Sequence, residues 1–170
     1  MPKLKAVKEV PGVKQEERAA YKVDMFNETE ILNKAREILL RQAKERSFLS
    51  SPQSVREFLH ITLRNLEHEV FGCVYLDAQN RVIDHEMMFR GSLTQTSVYP
   101  REVVKACLAH NAAGVIFAHN HPSGLAEPSQ ADELLTRTLR QALSLVDIRL
   151  LDHFIIGEGP AMSFAERGLI

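Results

Sequence analysis

The residues of this chain that are best suited to chemistry lie in one short stretch, His119, His121, Ser129 and Asp132. In an extended chain, side chains two residues apart point to the same side, so both imidazoles can reach one ion. Asp132 falls in the first turn of the next predicted helix, and a short loop can fold its carboxylate back over the histidines. Two imidazoles and a carboxylate suit zinc and leave one tetrahedral position for water, which distinguishes a catalytic site from a structural one.

Zinc bound in this way would provide hydroxide at neutral pH, because the ion lowers the pKa of its water to ~7. We therefore predict one zinc ion per chain, although iron, cobalt and manganese accept similar ligands. The spacing Ser129-x-x-Asp132 is also that of a helix N-cap with an acid in the first turn. The two roles are compatible, since a cap fixes the backbone while the carboxylate can still face outward.

The elements that must position these residues alternate between helical and strand periodicity. Apolar residues at helical spacing predict helices at 28–46, at 52–66, from Pro100 onward and at 129–146. Apolar and β-branched runs bounded by turn residues predict strands at 69–76, 81–89, 93–98, 114–118, 149–156 and 161–164. The order of these elements predicts a mixed α/β layer protein with one sheet.

Length and composition predict one ordinary globular domain with extra length at one end. The 170 residues are 45% hydrophobic and 25% charged, and a net charge of -1 gives no global attraction to DNA or anionic membranes. Cys73 and Cys107 do not form a CxxC pair, which favours a reducing compartment. The longest near-apolar run, 112–118, is too short to span a bilayer, and the N-terminal lysines do not precede an apolar run as in a signal peptide. We interpret the protein as cytoplasmic.

The spacing His119-x-His121, seven residues, Ser129, two residues, Asp132 resembles the signature of the JAMM (MPN+) metalloproteases. Flanking segments resemble the RadC-like branch of that family, formerly described as DNA repair proteins. These segments are Tyr99–Val104, Ala118–Gly124, Leu151–His153 and Ser163–Leu169. The resemblance covers about residues 50–170, which we take as the folded domain, and residues 1–49 are predicted to form a charged arm and an amphipathic helix. Longer RadC proteins carry a helix-hairpin-helix-type segment associated with DNA, which these first residues do not resemble.

The resemblance implies a fold and a set of roles. The fold is a single curved mixed β-sheet flanked by helices, similar to cytidine deaminases. The family pattern implies that His119, His121 and Asp132 bind zinc and that Ser129 helps to hold the oxyanion formed when the zinc water attacks a carbonyl. It also implies a glutamate general base just before the first core strand. Glu69 matches this position best, and Glu86 and Glu67 are the alternatives.

Three further residues are candidates for supporting roles. Asp152 and His153 fall in a predicted strand, where alternation puts them on opposite faces. One of them could orient a zinc ligand from behind, or the two could form a purely structural pair. Ser123 follows the second histidine and could donate to a ligand, although a role in shaping the loop is the simpler interpretation.

These features predict a zinc-dependent hydrolase of amide bonds, a peptidase or isopeptidase with a peptide or protein substrate. Two other functions stay open. One is a DNA-associated accessory protein or metal-dependent nuclease of RadC type, acting in DNA repair, recombination or a mobile element, and the other is an inactive MPN scaffold. Neutral net charge argues against tight phosphate binding. A homodimer formed through the first helices is compatible with the sequence, and no membrane partner is expected.

Overall fold

A computed structural model of the protein describes residues 28–44, 52–92 and 96–170. Its elements alternate in the way that the sequence periodicity predicts. The helices are α1 (Glu28–Lys44), α2 (Pro52–Leu63), α3 (Pro100–Ala109) and α4 (Gln130–Ser144), and the strands are β1 (Val70–Leu76), β2 (Val82–Arg90), β3 (Gly114–Asn120), β4 (Arg149–Ile156) and β5 (Met162–Ser163).

The strands form one open mixed sheet in the order β2-β1-β3-β4-β5. β1 pairs antiparallel with both β2 and β3, β4 pairs antiparallel with β5, and β3 and β4 are parallel. A parallel pair needs a crossover connection, and α4 provides it between β3 and β4. The first turn of α4 therefore lies close to the carboxyl end of β3, which is where open α/β sheets commonly bind ligands.

Helices cover both faces of the sheet, and β1 and β3 are buried along their whole length. On one face, α2 packs through Val55, Phe58, Leu59 and Leu63. On the other face, α3 and α4 pack through Val103, Cys107, Leu139 and Leu143. Because side chains alternate along a strand, β3 presents His119 with Phe117 to the α3–α4 face and Asn120 with Ala118 to the α2 face. The mixed α/β fold with one sheet is thus confirmed.

Most predicted elements are confirmed to within a few residues, and one is wrong in its described part. Residues 96–98, predicted as the end of a strand at 93–98, pair with no strand in the described part of the chain. Tyr99 then caps α3, which begins at Pro100, a residue suited to the first turn of a helix because it has no N–H group. The second helix ends at Leu63 rather than 66, and β3 continues through Asn120. The predicted arm lies outside the described residues, as do positions 93–95.

Candidate metal centre

The structure brings His119, His121 and Asp132 together at the carboxyl end of β3. One ligand atom from each residue lies within 4.8 Å of the others. The Nε2 atoms of the two imidazoles are 2.9 Å apart. The Asp132 carboxylate reaches both rings, with Oδ1 at 3.3 Å from Nε2 of His119 and Oδ2 at 3.6 Å from Nε2 of His121.

Neighbouring groups hold both imidazoles in the orientation that points Nε2 into this cluster. Nδ1 of His121 donates to the Leu125 carbonyl over 2.8 Å. Nδ1 of His119 lies 2.8 Å from Nε2 of the buried His153. A ligating histidine ordinarily uses its second ring nitrogen in this way, since the bond fixes both the tautomer and the ring plane.

The chemistry of this donor set fits a bound cation. With both Nδ1 atoms engaged, two imidazole lone pairs and a carboxylate face one another, and such donors repel unless a proton or a metal ion lies between them. Nitrogen and oxygen donors of this kind are those that zinc and related divalent metals prefer. The His119–His121–Asp132 group could therefore hold a metal ion, and three protein ligands would leave a further position open.

The charge distribution of the cluster favours an anionic carboxylate. Burial alone would raise the pKa of Asp132, but the adjacent His119 and His121 imidazoles outweigh it and lower the pKa far below the usual value. The pKa of His121 is raised, chiefly by the adjacent Asp132 carboxylate, and burial opposes this effect. The Leu125 carbonyl and the charge of Glu69 raise the pKa of His121 further. In the absence of a metal ion, a proton on His121 can thus take the place of the cation.

Ser129 and Asp132 form the capping box at the start of α4. The Ser129 hydroxyl accepts from the Asp132 N–H at 3.1 Å, while the Ser129 N–H donates to Oδ2 of Asp132 at 2.7 Å. The same hydroxyl donates its proton to Oδ2 at 2.6 Å. Oδ2 of Asp132 therefore closes the helix while Oδ1 faces His119, so the capping role leaves one carboxylate oxygen directed at the cluster.

The loop between His121 and α4 is fixed to the end of β4. The His121 N–H donates to the Ile156 carbonyl at 2.9 Å, and the Glu158 N–H donates to the Gly124 carbonyl at 2.9 Å. Gly124 has a φ of +83°, a conformation that glycine adopts without strain. A Cβ atom on Gly157 would lie 2.3 Å from the Gly124 carbonyl oxygen, so only glycine permits this close approach. The loop is held in place by backbone contacts on both sides.

Glu69 lies in the cleft that exposes the cluster to solvent. This cleft has a volume of about 490 Å³ and is lined by Glu69, Phe71, Thr96, Val98, His119, His121, Pro122, Ser123, Ser129, Ala131, Asp132 and Leu135. Phe71 is the register partner of His119. Since residues 69 and 71 share a face, Glu69 is directed to the same side of the sheet as the two histidines.

A buried amide connects the strand that carries the histidines to the segment that carries Glu69. Oδ1 of Asn120 accepts from the Val70 N–H at 2.8 Å, and its Nδ2 donates to the carbonyls of His68 at 3.0 Å and Leu66 at 3.3 Å. Asn120 is only 1% exposed, so these bonds form away from water. The backbone is thereby tied to β3 on both sides of Glu69.

The two alternative glutamates lie elsewhere. Glu86 is in β2, opposite Cys73, and accepts from the Tyr75 hydroxyl at 3.0 Å while its other oxygen lies 3.0 Å from Nε2 of His110. Glu67 is exposed and does not line the cleft. Among the three glutamates considered, the structure brings only Glu69 to the metal cluster.

The predicted supporting residues divide between two places. Ser123 lines the cleft, and His153 contacts His119. The structure does not bring Asp152 to the cluster. Its carboxylate accepts from the Ser163 hydroxyl at 2.6 Å and from the Ala165 N–H at 3.0 Å, which holds the turn after β5.

The sequence analysis assigned no individual role to two residues of the site, Asn120 and Thr136. Asn120 stands inside the histidine motif, and a polar residue on the buried face of a predicted core strand was a signal that it needs partners. Thr136 is fully buried, and its hydroxyl lies 2.7 Å from Nδ1 of His153. The position of Thr136 one turn after Asp132 was its only sequence signal.

Comparison with known families agrees with this geometry. The profile of the RadC-like JAB domain family matches residues 49–169 of the chain. The chain belongs to this family. Membership in the RadC-like JAB domain family indicates a metal-dependent, hydrolase-like scaffold, in which the histidine–histidine–aspartate group could hold the metal.

Relatives of this RadC-like JAB domain are UPF0758 proteins of bacteria. One from Nitrosospira multiformis is 61% identical over 140 residues, covering 82% of this chain and 62% of that protein. Another from Leptothrix cholodnii is 56% identical over 140 residues, covering 82% of this chain and 63% of that protein. A third, from Thiobacillus denitrificans, is 61% identical over 138 residues, covering 81% and 62% respectively. The aligned part of the chain thus corresponds to less than two thirds of each relative.

The described helices were also compared with the dimensions of a bilayer. None of those in residues 28–44, 52–92 and 96–170 is long and apolar enough to cross a membrane.

Proposed function

We propose that the protein is a zinc-dependent hydrolase of amide bonds, a peptidase or isopeptidase that acts on a peptide or protein. The observation that carries the proposal is the presence of the Glu69 carboxylate in the same cleft as His119, His121 and Asp132. A metal-binding group alone serves many purposes, but a metal-binding group beside a free carboxylate is the arrangement for activating water. The JAB-domain scaffold supports this proposal.

The chain's own residues divide the reaction between them. A zinc ion on the three ligands would polarise the scissile carbonyl and make water acidic. The Glu69 carboxylate takes the proton from the attacking water and passes it to the leaving nitrogen, acting first as general base and then as general acid. The backbone ties made by Asn120 fix the main chain on both sides of Glu69, from which this side chain reaches the cleft.

Ser129 provides the donor for the developing oxyanion. Its hydroxyl lines the cleft and donates to Oδ2 of Asp132 at 2.6 Å, so it must rotate away from that carboxylate to reach a substrate oxygen. The Ser129 N–H keeps its own 2.7 Å bond to Oδ2, so the cap persists while the hydroxyl moves. Removal of one such donor typically reduces kcat by ~100- to 1000-fold.

The lining of the cleft favours an uncharged peptide group over a phosphodiester. Phe71, Val98 and Leu135 provide apolar walls, while Glu69 and Asp132 contribute negative charge. A bound zinc ion would neutralise Asp132, but no Lys or Arg is among the described residues that line the cleft. Nucleic-acid binding depends on neutralisation of phosphates by Lys and Arg, so a phosphate backbone would lack its usual partners here. An extended peptide needs no such partners.

The first experiment measures metal content and hydrolysis together. Purified wild type and His119→Ala/His121→Ala are analysed for metal and then incubated with fluorogenic peptide libraries and with Lys-ε-linked isopeptides. We expect about one zinc per wild-type chain, none in the variant, and cleavage only by the wild type. Absence of metal after zinc loading, or cleavage of DNA in place of amides, would overturn the proposal.

Substitution of the three glutamates tests the assignment of the base. Glu69→Gln is expected to retain zinc and lose at least ~100-fold in kcat, which is the lower range for general acid–base catalysis. Glu67→Gln and Glu86→Gln are matched controls with the same change of charge and are expected to keep wild-type activity. Full activity in Glu69→Gln would show that another group activates the water.

A further inference from the structure

We propose that Thr136 is a positioning residue that fixes the tautomer of His119 through the intervening His153. The inference deepens the proposed function and rests on it in one respect, namely that Nε2 of His119 is a metal ligand. Nothing in the sequence motif of the site includes Thr136 or requires His153.

Three buried groups form a continuous hydrogen-bonded chain behind the metal cluster. The Thr136 hydroxyl lies 2.6 Å from the Asp132 carbonyl and 2.7 Å from Nδ1 of His153. Nε2 of His153 lies 2.8 Å from Nδ1 of His119. Thr136 and His153 are 0% exposed and His119 is 2% exposed, so water does not compete for these bonds.

The protons in this chain can be assigned by counting donors and acceptors. A hydroxyl has one proton, and the Asp132 carbonyl at 2.6 Å can only accept it. The Thr136 oxygen must then accept from Nδ1–H of His153. A neutral His153 carrying its proton on Nδ1 accepts at Nε2, and it can do so only from Nδ1–H of His119. Nε2 of His119 is thereby left without a proton and free to bind the metal.

The reverse arrangement would leave the metal site blocked. If the Thr136 hydroxyl donated to His153, its oxygen and the Asp132 carbonyl would face each other at 2.6 Å without a proton between them. His153 would then donate to Nδ1 of His119, and the proton of His119 would lie on Nε2, inside the cluster. The backbone carbonyl of helix α4 therefore selects the productive direction.

The surroundings of His153 hold its ring in place and favour the uncharged imidazole. The ring is 0% exposed, and burying a charged group away from water is costly. The ring is stacked on Phe164, with centroids 4.8 Å apart, and meets Phe71 and Phe117 edge-on. A neutral imidazole in a fixed ring plane can transmit the direction of hydrogen bonding from Thr136 to His119 without carrying charge.

The variants Thr136→Val and Thr136→Ser separate hydrogen bonding from packing. Valine keeps the branched shape in this buried position and removes the hydroxyl, whereas serine keeps the hydroxyl. Thr138→Val is the matched control, because Thr138 donates to the Leu134 carbonyl at 2.8 Å on the exposed side of the same helix. Zinc affinity is measured by competition with a chromophoric chelator, and stability by thermal unfolding.

We expect Thr136→Val to bind zinc ~10- to 100-fold more weakly, the usual effect of removing a partner behind a metal ligand. Thr136→Ser and Thr138→Val should bind within about threefold of wild type. Equal affinity of Thr136→Val and wild type would overturn the inference. Equal weakening in Thr136→Val and Thr138→Val would also overturn it, because loss of helix stability would then suffice.

Nitrogen NMR of the metal-free protein reads the tautomers directly. Long-range proton–nitrogen spectra of wild type and Thr136→Ser should show His119 and His153 protonated on Nδ1, while Thr136→Val should populate the Nε2 form of both. Protonation of His153 on Nε2 in the wild type would contradict the inference. This readout needs neither zinc nor hydrolysis, so an inactive enzyme with the expected tautomers would reject the proposed function and leave the role of Thr136 intact.

Discussion

The Oδ1 atom of Asn120 accepts the backbone N–H of Val70 over 2.8 Å, across 50 positions of sequence. Asn120 stands between His119 and His121, and Val70 follows Glu69 directly. One side chain thus sets the distance between the strand that would hold the metal and the carboxylate that would activate water. The relationship adds a buried side-chain tie to the backbone pairing of β1 with β3.

Removal of the Asn120 amide should lower both the thermal stability and the kcat of the protein while zinc binding is retained. Asn120→Ala leaves the buried Val70 N–H without this partner, at a cost of roughly 1–3 kcal/mol, and also removes the partly buried bonds to the carbonyls of residues 66 and 68. We expect lower thermal stability, retained zinc and a reduced kcat, because Glu69 loses its fixed position. The measurements are metal content and hydrolysis well below the midpoint of unfolding.

Leu59→Ala is the matched control for Asn120→Ala. Leu59 is 1% exposed in α2 and contacts the same face of the sheet, and its truncation costs about 2–5 kcal/mol. We expect this variant to be destabilised yet active per folded molecule. If both variants lost kcat equally, the amide would have no specific role in placing Glu69.

Asp132→Asn tests the shared role of this carboxylate. The amide oxygen can still accept from the Ser129 N–H, so the start of α4 should persist with a loss of about 0.3–1 kcal/mol, the contribution of an acid in the first turn. Zinc occupancy and hydrolysis should both be lost, because the anionic ligand is gone. Circular dichroism measures the helix content and metal analysis the zinc content of the same preparation. An active Asp132→Asn variant would show that Asp132 is not a required ligand.

The proposed catalytic role of Ser129 can be separated from its role as a helix cap, because the N-cap position tolerates glycine. Ser129→Ala should cost about 1 kcal/mol as a lost cap, whereas Ser129→Gly should cost only a few tenths. Both variants lack the hydroxyl, so we expect the same ~100- to 1000-fold fall in kcat despite their different stability. Activity that follows stability instead would make Ser129 a cap and nothing more.

Metal binding should stabilise the native protein by mass action. Zinc at 100 times its Kd adds about 2.7 kcal/mol to the free energy of unfolding. For a chain of this size, that gain raises Tm by roughly 5–11 °C. A chelator should reverse the shift in the wild type, and His119→Ala/His121→Ala should show no shift with zinc. A shift of equal size in that variant would place the metal elsewhere.

The grouping of His119, His121 and Asp132 could be predicted from the sequence because its geometry is local. His119 and His121 share one strand end, and Asp132 follows through a capping box whose spacing is itself a recognisable pattern. The choice of Glu69 over Glu86 as the general base could not be made from local spacing, since it depends on the register of β1 against β3. The family pattern supplied that choice, and the structure places Glu69 in the cleft.

The parts that the sequence did not reveal depend on long-range packing. Thr136 meets His153 only because α4 crosses over the parallel pair β3 and β4, and no periodicity encodes that contact. The composition of segment 96–98 is typical of a strand, yet these residues form the irregular segment that precedes α3. The proposed homodimer, the substrate and the compartment stay predictions.

The distances in sequence between the parts of this site set an order of assembly. The three ligands lie within 14 consecutive residues, so the unit formed by β3, the following loop and α4 can gather them early, at a small cost in chain entropy. Glu69 arrives only when β1 has paired with β3 across some 50 residues. A nascent or damaged chain could therefore bind a metal ion and remain inactive. Hydrolysis would begin only after β1 has paired with β3, so activity would report that the sheet is complete.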